Sequence, residues 1–205
     1  MFSILKYSYT LLSPIYDLIV AGPTQHVRQQ SLQRLESLSN SNDHILLMGI
    51  GTGLDIPFLP GQRRYTGIDL TPSMLAAARR RAGAKAIQLD IGNVMSLPYE
   101  DESFDQVVMH LILAVVADPD AALREAQRVL KPGGHIVIVD KFLKKNQMAP
   151  IRRLVNIVIR HIATRTDVIF EKLLENSQPT LGLVSDEPVL LKGWFRNIVL
   201  RKQTA

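Results

Sequence analysis

The sequence contains no cysteine. That excludes disulfides, thiolate metal sites and a cysteine nucleophile, and it is compatible with a reducing compartment. No apolar run reaches the roughly 20 residues that span a bilayer. The apolar start, MFSILKYSYTLLSPIYDLIV, carries Lys6 but is interrupted by tyrosines, Pro14 and Asp17, and no small-residue cleavage site follows. It reads as a mature helix pair rather than a signal peptide. Acids are missing from one long segment. Between Lys141 and Thr166 stand seven Lys/Arg and no Asp or Glu, so the remainder of a chain of net charge +5 sums to −2. The basic character is therefore local, unlike that of a uniformly basic nucleic-acid binder, and no nucleic-acid partner is expected.

What is present fits one domain. A length of 205 residues supports a full core, and 46% hydrophobic with 21% charged residues is ordinary for a globular protein. The first forty residues read as helices, over 3–20 with a break near Pro14 and over 24–38. Strands and helices then alternate. Strands are expected over 44–48, 64–70, 84–90, within 104–113 and over 135–142. Between them lie a short helix near 53–59, a helix from Thr71-Pro72 to Ala82, and a helix from Pro119 that Gly133-Gly134 stops. Helices over 149–164 and 167–176 precede two β segments, 180–185 and 194–202, separated by Pro188. Short apolar strands with intervening helices predict a parallel sheet covered on both faces, with right-handed connections. In such sheets ligands sit at the carboxyl ends of the strands.

At the end of the first strand the chain reads LLMGIGTGLDIPFLP, with Gly49, Gly51 and Gly53 at alternate positions. A Walker A loop needs a Lys-Ser/Thr pair after its glycines, and Leu54-Asp55 stand there instead. The dinucleotide fingerprint requires Gly or Ala at position 54, which is leucine. Two acids narrow the ligand. Asp69 ends the second strand in GIDL, and a carboxylate there accepts from both hydroxyls of a ribose. Asp90 ends the third strand in QLDIGN, where a carboxylate can accept from an adenine amino group.

These features resemble the class I S-adenosylmethionine-dependent methyltransferases, strongly over 44–142 and more loosely in the flanks. The matching positions are the three glycines, Asp69, Met74-Leu75, Asp90, Leu97-Pro98, Ser103-Phe104-Asp105 and Lys131-Pro132-Gly133-Gly134. The resemblance implies an α/β fold: a Rossmann-like, doubly wound sheet of seven strands, the last antiparallel and inserted beside the fifth. It implies a single domain with a helical lid (1–40), a cofactor-binding core (44–142) and a basic helix followed by a β hairpin (143–205). It implies S-adenosylmethionine as cofactor. The glycine turn would lie under its methionine part and Asp69 would take the ribose. Leu70 and Met74 would flank the adenine, Asp90 would bind its amino group, and Ile91 would lie close by. The family usually has Asp or Glu two residues before the first glycine, supporting the cofactor's ammonium group; here that residue is Leu47, leaving Asp55 or Asp17 as substitutes.

Methyl transfer from a sulfonium is an in-line displacement, so the protein mainly aligns the acceptor and excludes water. A base is needed only where the acceptor is protonated, as an amine is. Candidate polar groups are His110, after the fourth strand, and Tyr7, Tyr9 and Tyr16 on the N-terminal helices, whose rings could meet an ammonium group. The chain lacks the Asn/Asp-Pro-Pro-Tyr that base N-methylation usually carries at this point, reading His-Leu-Ile-Leu instead. In APIRRLVNIVIRHIATR, apolar residues recur at helical spacing with arginines elsewhere, a pattern that suits either an anionic membrane surface or packing on the sheet. Over its full length the chain is similar to the soluble, peripheral bacterial phosphatidylethanolamine N-methyltransferases, through SPIYDLIVAG, the glycine turn, HLILAVVADPDAALREAQRVLKPGG, the basic stretch and WFRNIVLRK. That similarity implies a lipid amine acceptor, with Tyr16 at the headgroup and His110 lining the pocket as the catalytic pair. It implies an anionic membrane partner met through Arg152, Arg153 and Arg160, and a cytoplasmic place, peripheral at the inner membrane. Quinone C-methylation, thiol S-methylation and a non-catalytic cofactor-binding module at a membrane surface stay open as alternatives.

Overall fold

The computed structural model describes residues 21–142, 168–177, 179–190 and 193–204. Helix α1 covers 21–38 of these, and β1 (His44–Met48) follows. A single 3-10 turn, Ile56–Phe58, stands where the short helix was expected; Pro57 starts it and Leu59 is already extended. Next come β2 (Arg64–Asp69), α2 (Pro72–Ala82), β3 (Gln88–Ile91), β4 (Phe104–His110), α3 (Pro119–Val129) and β5 (Leu130–Lys141). Helix α4 (Phe170–Ser177) leads to β6 (Leu181–Leu190) and β7 (Phe195–Lys202). The expected basic helix, Tyr7, Tyr9, Tyr16 and Asp17 lie outside the described residues.

The seven strands form one sheet in the order β3-β2-β1-β4-β5-β7-β6. The first five are parallel, and β7 runs antiparallel between β5 and β6. The doubly wound sheet with an inserted antiparallel last strand is therefore as expected. Boundaries differ for local reasons. Strand β3 begins at Gln88 because 84–87 are held in a turn: Lys85 N–H donates to Ala82 O, and its ammonium donates to the carbonyls of Ile56 and Leu59. Helix α3 ends before the two glycines, because Leu130 is already extended and opens β5. Pro188 does not split the tail strand. It lies on the sheet's edge strand, where a missing N–H costs no ladder bond, and a register irregularity beside it absorbs the ring.

Both faces of the sheet are apolar. Along β1, Leu46 and Met48 join a core with Phe104, Leu123 and Phe170, under α3 and α4. Ile45 and Leu47 point the other way, among Leu32 and Leu35 of α1 and Leu75 and Ala78 of α2. At the strands' amino ends Asp105 accepts from the backbone of His44 (2.8 Å) and from Lys131 (2.6 Å), which ties β1, β4 and the start of β5. Gly134 packs there so closely that a Cβ would come within 2.5 Å of Asp105 O. The Ser-Phe-Asp and Lys-Pro-Gly-Gly motifs thus fix the end of the sheet opposite the cleft.

Leu47, where the family usually carries an acid, is 1% exposed in the α1 and α2 core. A carboxylate there would be buried without a partner, at a cost of several kcal/mol. Leu47→Glu should therefore lose most of a stability that is typically about 5–15 kcal/mol. Urea denaturation followed by circular dichroism should show the midpoint collapse; a native midpoint with tighter cofactor binding would contradict the burial of this side chain.

Candidate active-site cleft

The carboxyl ends of β1, β2 and β4 open into one cleft. Its floor is the glycine turn. Gly49, Gly51 and Gly53 all adopt positive φ (68°, 57° and 79°), a region that L side chains rarely enter. Gly49 and Ile50 both donate to Ile68 O, at 2.8 and 3.1 Å, which docks the turn on β2. A Cβ on Gly49 would lie 2.4 Å from Ile112 Cδ1, and one on Gly53 would lie 3.0 Å from Ala78 Cα. Gly53 thus seats the turn on α2 and is not part of the cleft wall, whereas Gly49 and Gly51 are. Gly51 has nothing nearer than 4.0 Å around its Cβ position, so open space remains there.

Asp69 clamps the turn. Its Oδ2 accepts from Gly51 N–H and its Oδ1 from Thr71 N–H, both at 2.9 Å. Burial pushes its pKa up, and the Thr71 and Gly51 amides pull against that rise. The Thr71 hydroxyl and the Leu70 amide also bond to it, so a ligand diol would share or replace these contacts among the carboxylate's roughly four lone-pair sites. Leu70, 43% exposed, and Met74 line the cleft as well. A glycine floor with open space, a carboxylate at the cleft and apolar flanks fit an S-adenosylmethionine nucleoside.

Asp90 and Ile91 are placed elsewhere. Neither lines the cleft. Asp90 accepts from the Tyr99 hydroxyl at 2.9 Å and from Gln88 Nε2, and Ile91 is 63% exposed. The chain enters the cleft one step later, through Gly92, Asn93 and Val94. Gly92 allows this turn, since a Cβ there would come within 2.6 Å of Ile68 Cδ1. Asn93 Oδ1 caps the bend by accepting from Met95 N–H at 3.0 Å. The signal in the sequence was Gly92-Asn93, a turn dipeptide at the carboxyl end of a parallel strand.

His110 lines the cleft but is not presented as a free base. Its side chain is 1% exposed and both ring nitrogens are engaged, Nδ1 with Asp55 Oδ1 at 3.0 Å and Nε2 with Ser31 Oγ at 2.9 Å. Asp55 is an acceptor only, so Nδ1 carries the proton toward it. Arg28 Nη1 donates to the same Asp55 oxygen at 2.8 Å. Burial alone would raise the Asp55 pKa; His110 and then Arg28 override it and hold the carboxyl well below the usual range. Asp55 is thus committed to an internal ion pair, which corrects its expected part as a substitute for the acid missing at position 47. Arg28, Asn93 and Asp140 are the residues that sequence reasoning missed. Arg28 carried no signal beyond being a charge on a helix.

The opposite wall is the segment 111–117. Leu111 takes φ +57° and donates to Val139 O at 2.7 Å, which ends β4 and swings Ile112 over the turn. Leu111, Ile112, Val115, Val116 and Ala117 face the cleft. Asp140, fully buried on β5, pins this wall by accepting from Ala114 N–H at 3.1 Å. Burial pushes its pKa up to about 6, against the backbone amides of Lys141 and Ala114.

A methyltransferase-domain family model matches residues 46–138. The chain is 27% identical to a phosphatidylethanolamine N-methyltransferase of Cereibacter sphaeroides over 186 residues, covering 88% of this chain and 89% of that protein. It is 38% identical to a demethylmenaquinone methyltransferase of Symbiobacterium thermophilum over 106 residues, covering 48% of this chain and 42% of that protein. In fold it matches the crystal structure of the [4+2]-cyclase SpnF with a TM-score of 0.77 at 19% identity, over 98% of this chain and 95% of that one.

The Asp140 carboxyl gives a pH test. Its folded pKa, about 6, lies above the ordinary 3.8, so the folded state holds this proton more tightly. The group's contribution to stability is therefore full below about pH 4 and is lost as pH rises through 6. Asp140→Asn removes that dependence. Between pH 4 and 6 the stability difference between wild type and variant should change by about 1.4 kcal/mol per pH unit. Urea titrations across this range test it; parallel curves would mean that Asp140 titrates normally.

Proposed function

We propose that the chain is a class I S-adenosylmethionine-dependent methyltransferase and that its acceptor is the amine of a phospholipid headgroup, a reading supported by the methyltransferase-domain match over residues 46–138. The observation that carries this reading is the reach of the similarity. The match to the Cereibacter sphaeroides phosphatidylethanolamine N-methyltransferase runs through 89% of that protein, so it extends beyond the core into the flanks. The quinone methyltransferases it also matches are 32–42% identical but are spanned to only 39–63% of their lengths. Methylation of a quinone ring carbon is the second reading, favoured by that local identity. An apolar cleft wall at 111–117 supports a lipophilic acceptor on either reading.

In this proposal Asp69 holds the ribose diol, Leu70 and Met74 flank the adenine, and Asn93 replaces Asp90 at the adenine edge. When bound, S-adenosylmethionine supplies a methyl group already activated on a sulfonium. The chain's own part is alignment and exclusion of water. Gly49 and Gly51 let the ligand approach the backbone, while Ile112 and Val116 close the far side. Tyr16 keeps its proposed place at the headgroup, and His110 becomes a group that positions rather than one that takes the proton; the headgroup ammonium would give its proton to water, and the neutral amine would then attack the methyl carbon as the carbon–sulfur bond breaks. Arg152, Arg153 and Arg160 would meet anionic lipid, each worth about 1 kcal/mol near such a surface. No helix among the described residues is long and apolar enough to cross a membrane.

The test is transfer of labelled methyl from S-adenosylmethionine into a bacterial extract separated into lipid and aqueous phases. Label on a headgroup amine is the expected result. Label on a quinone selects the second reading, and label only in the aqueous phase removes both. Asp69→Ala should raise the dissociation constant for S-adenosylhomocysteine at least about 100-fold, since it removes both a ligand acceptor and the clamp on Gly51. Near-native affinity by calorimetry would remove the ribose assignment. Neutralising Arg152, Arg153 and Arg160 together should weaken sedimentation with anionic vesicles while sparing cofactor affinity; unchanged sedimentation would return that segment to a packing role.

A further inference from the structure

Among the described residues that line the cleft, Arg28 is the only Lys or Arg and Asp69 the only carboxylate. They stand on opposite sides of β1. Asp69 closes β2, whereas Arg28 is held through Asp55 beside His110 at the end of β4. Arg28 comes from α1, a different element from those that form the turn. Its side chain is only 8% exposed. A buried guanidinium is stable only where its charge and its N–H groups are met.

Two of its five N–H groups are accounted for. Nε donates to Thr24 Oγ1 at 3.1 Å and Nη1 to Asp55 Oδ1 at 2.8 Å. The other three have no acceptor among the described residues. The Asp55 oxygen that meets Arg28 is shared, because it also accepts from His110 Nδ1 at 3.0 Å. The guanidinium is therefore fixed at two corners, and the residue lines the cleft. A planar fork held in this way matches a carboxylate or a phosphate.

We propose that Arg28 is an oxyanion anchor whose free N–H groups bind a carboxylate or phosphate group of a ligand in the cleft. Asp55 and His110 are positioning residues that aim it. The proposal rests on the methyltransferase reading and not on the lipid acceptor. A ligand spanning the cleft would meet a hydroxyl acceptor at Asp69 and an anion receptor at Arg28. Two ligand groups have this chemistry: the carboxylate of S-adenosylmethionine, and the phosphodiester of a phospholipid acceptor. The first would give the amino-acid end of the cofactor a cationic partner in a chain where Leu47 removes the usual acidic one.

The experiment compares wild type with Arg28→Lys, Arg28→Met and Arg28→Met/Asp55→Asn. The double variant is included because Arg28→Met leaves Asp55 buried without its cation. Calorimetry is run with S-adenosylhomocysteine, which has the carboxylate, and with 5′-methylthioadenosine, the same nucleoside without it. A carboxylate anchor weakens the first by roughly 10- to 100-fold, the scale of a charge-assisted pair, and leaves the second unchanged, with part of the loss restored by lysine. A phosphate anchor leaves both affinities unchanged and raises KM for phosphatidylethanolamine vesicles but not for a phosphate-free alkylamine in neutral micelles. Equal loss for both nucleosides in the folded variants, or no change in either arm, would overturn the assignment. Absence of turnover on every lipid would count against the lipid acceptor alone, and calorimetry would then decide Arg28 by itself.

Discussion

One carboxylate oxygen, Asp55 Oδ1, holds the acceptor side of the molecule together. It accepts from Arg28 on α1 and from His110 at the end of β4, and it stands one residue before the 3-10 turn that follows the glycines. His110 extends the connection to Ser31 on α1, whose hydroxyl reaches Asn197 on β7 at 3.5 Å. A buried ion pair is weak evidence for stability, since its desolvation cost rivals its attraction. Its stronger consequence is specificity of arrangement. α1 has one seating in which Arg28 meets Asp55 and Ser31 meets His110, and that seating puts a cation into the cleft.

The sheet itself was legible because period and punctuation agree. The inner parallel strands β1, β2 and β4 are largely buried and apolar on both faces, and each of the parallel strands before β5 ends at Gly, Asp or a turn. Leu47 shows the strength of that pattern. Position 47 was weighed as a lost ligand, but strand alternation puts it on the α1 and α2 face, with Ile45, and away from the cleft. Boundaries were less legible where a side chain competes with the ladder. Lys85 ties its segment to the 3-10 turn and delays β3, and Leu111 takes a left-handed conformation that ends β4 at His110. Neither event has a period that a strand pattern can carry.

Much of the cleft lining was also legible. Gly49, Gly51, Asp69, Leu70 and Met74 all line it, because a glycine at positive φ and an acid at a strand end are local features. Asp90 is the expected residue that the structure leaves out of the cleft lining, for a geometric reason. The strand ladder sends its side chain toward Gln88 and Tyr99, and the turn that enters the cleft begins only at Gly92. An acid at a strand end is therefore a weaker locator than the turn dipeptide after it. Arg28 was illegible for a different reason. Its partners Thr24 and Asp55 lie 4 and 27 residues away, and only the packing of α1 on the sheet brings the second one near.

The cleft is chemically asymmetric, and that asymmetry follows from the reaction. One side of the cleft carries Asp69 and Asn93, the groups that the proposed reading gives to the ribose hydroxyls and the base edge. On the other side, the segment 111–117 offers Leu111, Ile112, Val115, Val116 and Ala117, and His110 below it has both nitrogens engaged. Displacement at a sulfonium carbon develops no oxyanion and needs no nucleophile from the protein; it needs the acceptor in line and water excluded. An apolar wall with one φ-strained corner, tied to β5 through Val139 O and Asp140, provides those two things. Such a wall has no sequence signature beyond hydrophobicity, so the acceptor is the part of this enzyme that its residues announce least. Within the cleft the two charged groups stand on opposite sides of the glycine turn, so on the proposed reading Asp69 would take the diol and Arg28 an anionic group of the same ligand.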